Sequence, residues 1–124
     1  MHILVVDDDM MARMTAGQCV KQAGHTARIA KNGVEALEML QADSYDLVLL
    51  DLLMPEMDGF EVLKRIKDNA QLSATPVIMI SGAEETESTT RSIEMGACGF
   101  LSKPLDPTQL VKQLADCLNK FHSV

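Results

Sequence analysis

The chain has no long apolar run. Its first hydrophobic stretch, Ile3-Leu4-Val5-Val6, is four residues long and stops at Asp7-Asp8-Asp9. That is far too short for an export signal or a membrane span, so a soluble, cytoplasmic protein without a membrane partner is expected. Positive charge is also scarce: 11 Lys and Arg face 18 Asp and Glu, for a net charge of −7. An acidic surface argues against nucleic acid or an anionic membrane as a direct partner. The three cysteines, Cys19, Cys98 and Cys117, lack metal-site spacing, and their odd number rules out a complete set of internal disulfides. They are expected to be reduced, mostly buried thiols. Repeats, low-complexity tracts and linkers are missing too, and Met1-His2 reads as a natural start, so residues 1–124 are expected to form one domain.

What the chain does contain is ordinary globular composition, 47% hydrophobic and 23% charged. Short β-branched and leucine-rich runs alternate with amphipathic stretches of about 10 to 15 residues, the pattern of repeated βαβ units. The runs are His2–Val6, Thr26–Ala30, Asp46–Leu50, Pro76–Ile80 and Gly99–Leu101. Several are almost wholly apolar, as expected for strands of a parallel sheet covered on both faces. The predicted fold is α/β: a doubly wound, flavodoxin-like (βα)₅ sandwich around a five-stranded parallel sheet.

Five helices are expected between and after these strands. The first spans Asp9 to Ala23, capped by Asp8 or Asp9, with Ala12, Ala16, Cys19 and Ala23 as its buried stripe. The second follows Asn32-Gly33 and buries Val34, Leu37 and Leu40; the third follows Asp58-Gly59 and buries Phe60, Leu63 and Ile66. The fifth opens at Asp106-Pro107 and buries Leu110, Leu114 and Cys117. The fourth, from Glu84 to Ser92, consists of weak helix formers with little to bury, and is expected to be loosely held.

In doubly wound sheets ligands sit outside the carboxyl ends of the strands. Asp7, Asp8 and Asp9 follow the first strand, Asp51 the third, Ser81 the fourth, and Lys103-Pro104 the fifth. The rule therefore brings carboxylates, a hydroxyl and an ammonium to one edge. A carboxylate cluster repels itself and calls for a hard cation with oxygen ligands, Mg²⁺ before Ca²⁺. A carboxylate beside such a metal can attack a phosphoryl group while a lysine and a hydroxyl hold the phosphoryl oxygens. No histidine falls in the cluster, so the phosphoryl donor or phosphohistidine is expected to come from elsewhere.

These residues carry a resemblance. The acidic pair Asp7-Asp8, Asp51 within Leu-Leu-Asp-Leu-Leu-Met-Pro-Glu-Met-Asp-Gly, Ser81-Gly82 and Lys103-Pro104 stand in the order and spacing of response-regulator receiver domains. The intervals from Asp8 to Asp51, Ser81 and Lys103 in turn are 43, 30 and 22 residues. The chain resembles this family of two-component signalling over its full length, in particular its single-domain, chemotaxis-type members.

The resemblance implies that Asp51 is the phosphoacceptor. It also implies that Asp8 ligates Mg²⁺ directly, Asp7 through water, and Leu53 through its backbone carbonyl. Ser81 would bind a phosphoryl oxygen, Lys103 would pair with Asp51 or its phosphate, and Phe100 would be the aromatic switch. The implied partners are a sensor histidine kinase or histidine phosphotransfer protein, and a downstream protein or attached output domain regulated through a surface that switches on phosphorylation. The first helix would meet the donor, with Met10 and Met14 facing outward. Leu53 and Ala83 would flank the water path to the phosphate and orient no water. The chain would act on itself only and not be a turnover enzyme. An aspartyl-phosphate phosphohydrolase is the competing reading, but it is expected to place a second acid where Leu53 stands.

Overall fold

The computed structural model describes residues 1–82, 86–103 and 105–122, with side chains described outside 86–89 and 118–122. Five strands, β1 (His2–Val6), β2 (Thr26–Ala30), β3 (Leu47–Asp51), β4 (Val77–Ser81) and β5 (Gly99–Ser102), form one sheet in the order β2-β1-β3-β4-β5. Every pairing is parallel; Val6, for example, stands opposite Ala30 on one side and Leu50 on the other. Five helices connect and follow them: α1 (Met10–Gln22), α2 (Gly33–Ala42), α3 (Gly59–Asp68), α4 (Thr86–Glu94) and α5 (Pro107–His122).

The strands are apolar on both sides because both faces are covered. Leu4, Val6, Val48, Leu50, Val77 and Met79 point to one core with Leu40 of α2 and Val62, Leu63 and Ile66 of α3. Their neighbours Ile3, Val5, Leu47, Leu49, Ile78 and Ile80 point to the other, with Ala16, Cys19 and Val20 of α1 and Leu110, Leu114 and Cys117 of α5. Aspartate or asparagine side chains start the first three helices: Asp9, Asn32 and Asp58 accept hydrogen bonds from the backbone N–H of Ala12, Glu35 and Glu61. Asp106 likewise accepts from Thr108 N–H, just ahead of Pro107 at the first helical position.

The fold is the one expected, with corrections. Strands β3 and β4 run one residue later, so that Asp51 and Ser81 lie inside them and Asp46 and Pro76 outside. In α1 the buried face is Ala16, Gly17, Cys19 and Val20, while Ala12 and Ala23 are half-buried. Val34 is 51% exposed, because α2 packs through Gly33, Ala36 and Leu40 instead. A Cβ on Gly33 would stand 2.6 Å from Val62 Cγ2, and that close approach rotates Val34 outward. Leu37 and Phe60 are half-buried at the edge of their core. The fourth helix runs later than expected, to Glu94, and Glu84 lies outside the described residues.

The cysteines also differ from expectation. Cys98, just before β5, is disulfide-bonded to Cys117 in α5, and only Cys19 remains a thiol. Packing of α5 on β5 brings together two residues that sequence spacing leaves unrelated. Among the described residues, no helix is long and apolar enough to cross a membrane.

Candidate functional site

The strand order reverses at β1, so β1 and β3 lie side by side while their following helices cover opposite faces. The carboxyl ends of these two strands therefore open into a crevice, the usual ligand position of an open α/β sheet. Asp7 stands directly after β1, fixed by its N–H to Ala30 O (3.2 Å) and by Arg13 Nη1 on its carbonyl (3.1 Å). Its Oδ1 accepts from Asp9 N–H at 3.0 Å, which turns the chain into α1. Asp51 closes β3, and Leu52 beyond it still donates to Ile80 O at 2.8 Å. Lys103 follows β5 with its N–H on Ser81 O at 2.8 Å.

These ladders bring the side chains together. Lys103 Nζ lies 3.0 Å from Asp7 Oδ2 and 3.3 Å from Asp51 Oδ1, with both carboxylates buried. One carboxylate oxygen each from Asp7, Asp8 and Asp51 falls within 4.8 Å of the others, and Asp8 is the exposed member. Ser81 is buried at the end of β4. Phe100 is half-buried in β5 against the core shared with α2 and α3. Leu53 is 68% exposed, just past the strand end. Asp9 is the cap of α1. Ala83 and Pro104 lie outside the described residues.

Electrostatics follow from this crowding. Burial, and then the charge of Asp7, push the Asp51 carboxyl up to about 7, although Lys103 is in contact and pulls the other way. Burial draws the Lys103 ammonium down, but its hydrogen bond to Asp7 and the charges of Asp51 and Asp7 outweigh that and raise it. One ammonium thus does not neutralise the acids around it. A divalent cation fits this excess of negative oxygen ligands.

Two features here carry no sequence signal. Arg13 fastens the loop carrying Asp7, yet it looks like any surface arginine in a helix. Gly59 looks like a turn glycine, but the left-handed residue of this loop is Glu56 (φ 68°). Gly59 is needed for closeness instead: a Cβ there would lie 2.5 Å from Asp51 O and 2.7 Å from Leu52 Cα.

Comparison with known proteins agrees with this geometry. The family model described as "Response regulator receiver domain" matches residues 3–115. Gliding motility regulatory protein of Myxococcus xanthus is 36% identical over 95% of this chain, which spans 15% of that protein's length. Two-component response regulator ORR3 of Oryza sativa is 34% identical over 88% of this chain and 84% of its own. The crystal structure of chemotaxis protein CheY4 of Vibrio cholerae superposes with a TM-score of 0.85 at 32% identity, covering 92% of this chain and 95% of that one.

Proposed function

Because the chain belongs to the response-regulator receiver family, we propose that it takes a phosphoryl group from a phosphohistidine onto Asp51 and thereby switches its α4–β5–α5 surface. The observation that carries this reading is the buried Asp51 carboxylate, 3.3 Å from Lys103 and within 4.8 Å of oxygens of Asp7 and Asp8. An Asp51 oxygen attacks phosphorus, the P–N bond to the donor imidazole breaks, and its electron pair leaves with the ring. Lys103 holds a phosphoryl oxygen, Ser81 a second, and movement of Ser81 frees room for Phe100 to rotate. Asp7, Asp8, Asp51 and the Leu53 carbonyl would hold Mg²⁺, which when bound supplies charge neutralisation on the phosphoryl oxygens. The reaction is stoichiometric on the chain itself, in the cytoplasm. Its output goes to a protein partner or an attached domain.

Acetyl phosphate tests the reading without a kinase. Intact mass should show a single added phosphoryl group with millimolar Mg²⁺ and none with a chelator. Mg²⁺ should also raise the melting temperature, since it binds only the folded cluster, and Asp8→Ala should erase most of that rise. Labelling that persists in chelator, or an unchanged Mg²⁺ response in Asp8→Ala, would defeat the proposal.

The donor surface is read from α1. Met10, Met11 and Met14 are 62%, 68% and 58% exposed. Grooves of about 320 Å³ flank them, one formed with Ala27 and Ile29 of β2, the other with Leu105 ahead of α5 and with Asp7 and Lys103 of the carboxylate cluster. Flexible thioethers between two grooves, one of them opening onto the carboxylate cluster, suit a helical bundle straddling α1. Met10→Gln with Met14→Gln should slow transfer from a phosphohistidine protein about tenfold and leave acetyl phosphate labelling unchanged. Equal losses with both donors would mean that the site, and not the docking face, was damaged.

A further inference from the structure

The cysteine pair lies apart from the carboxylate cluster, and no step proposed there uses it. Cys98 precedes β5 and Cys117 sits within α5, with Cα atoms 5.4 Å apart across a sequence separation of 19 residues. Both lie in the core beneath α1 and α5, with Leu101, Leu110 and Leu114. The helix comes very close to the strand here: a Cβ on Gly99 would stand 2.6 Å from Gln113 Oε1 and 3.3 Å from Cys117 Sγ. The bond therefore joins two elements of the α4–β5–α5 surface where they already touch. Val111 of α5 is half exposed, and Phe100 of β5 is half-buried against the core on the other face of the sheet.

We propose that Cys98 and Cys117 form a reversible redox modification site, exchanging with small thiols and disulfides, whose bonded form pins α5 to β5 and whose reduced form releases it. Reduction begins when an external thiolate attacks Cys98 Sγ, since Cys98 is 8% exposed and Cys117 is not exposed at all. The S–S bond breaks, and Cys117 leaves as a thiolate that takes up a proton. A second external thiol attacks the mixed disulfide, freeing Cys98 as a thiol and releasing the external disulfide. Two electrons pass from two small thiols to the pair; a small disulfide accepts them in the reverse direction.

Burial couples this chemistry to the motion of α5. Exchange at so covered a bond needs the helix to lift from β5, and a closed bond opposes that lifting. Whatever holds α5 away from the sheet favours the reduced pair, and reduction in turn makes the displaced helix easier to reach. Cys19 takes no part: its thiol donates to the Leu105 carbonyl at 3.6 Å and forms no disulfide.

The test uses the full chain in oxidised and in reduced glutathione, followed by non-reducing peptide mapping and hydrogen exchange of α5. A Cys98–Cys117 link should form in the oxidised buffer, and α5 amides should exchange about tenfold more slowly, or slower still, than in the reduced one. Cys117→Ser should exchange like the reduced chain in both buffers, while Cys19→Ser keeps the full response. If Cys117→Ser does not fold, Cys98→Ala serves the same comparison. A chain that forms no such link in oxidised glutathione, or one whose link leaves α5 exchange unchanged, overturns the proposal. The measurement requires no phosphoryl donor, so its failure and that of the receiver chemistry are separable.

Discussion

Asp51→Asn should reduce Mg²⁺-dependent phosphorylation to background, a loss of at least about 10³-fold, while in metal-free buffer near pH 8 it melts above the wild type. The first half follows from the amide's lack of a nucleophilic oxygen anion. The second follows from the raised Asp51 carboxyl, at about 7. A carboxyl raised in the folded state stabilises the fold through its protonated form. That contribution is complete below the unfolded value, about 4, and is lost as pH climbs through about 7. Asparagine keeps the neutral state at every pH and removes the repulsion from Asp7. The melting-temperature gap between variant and wild type should therefore widen from about pH 5 to about pH 8. Millimolar Mg²⁺ should close it by stabilising only the wild type. Intact mass and circular dichroism melts decide both parts. A labelled Asn variant, or a gap that ignores pH, would place the nucleophile and the electrostatic strain elsewhere.

The strands and the site were legible because their signals are local and redundant. The wholly buried Leu47–Asp51 and Val77–Ser81 show as apolar runs whatever surrounds them. Polar residues at their ends then meet by topology alone, which is why Asp7, Asp51 and Lys103 converge within about one hydrogen-bond length. Helix faces were less legible where the packing residues are small. Gly17 and Gly33 are buried because a neighbouring helix or strand comes close, and no hydrophobic period marks them. Val34, the most apolar residue at the start of α2, was displaced to solvent for that reason. The Cys98–Cys117 bond was illegible in a different way: only the docking of α5 on β5 places those two residues together. Sequence also left open which acid of the pair lies inside; Asp7 is buried against Lys103 and Asp8 faces solvent.

Gly59→Ala is expected to destabilise the fold by about 2–4 kcal/mol and to slow phosphorylation with it. The added methyl would stand 2.5 Å from Asp51 O, 2.7 Å from Leu52 Cα and 2.9 Å from Met79 Cε. Met79 has a flexible end that can yield, but the first two are backbone atoms at the end of β3 and one residue past it, on either side of the peptide bond that follows Asp51. Gly59 N–H also donates to Leu52 O at 2.8 Å, so the first turn of α3 cannot retreat without breaking that bond. Relief must come from shifting the end of β3, which moves the Asp51 carboxylate relative to Lys103. A displacement of a few tenths of an ångström there should slow acetyl phosphate labelling about tenfold, because in-line attack depends on the position of the oxygen. Gly82→Ala is the control, since among the described residues no atom beyond the adjacent ones comes within 4 Å of its added methyl. It should change stability by less than about 0.5 kcal/mol. Urea titrations of both variants give the stabilities, and a lowered midpoint at unchanged slope is the expected form for Gly59→Ala. If Gly59→Ala matches the control in both stability and labelling rate, the contact between α3 and the end of β3 does not position Asp51.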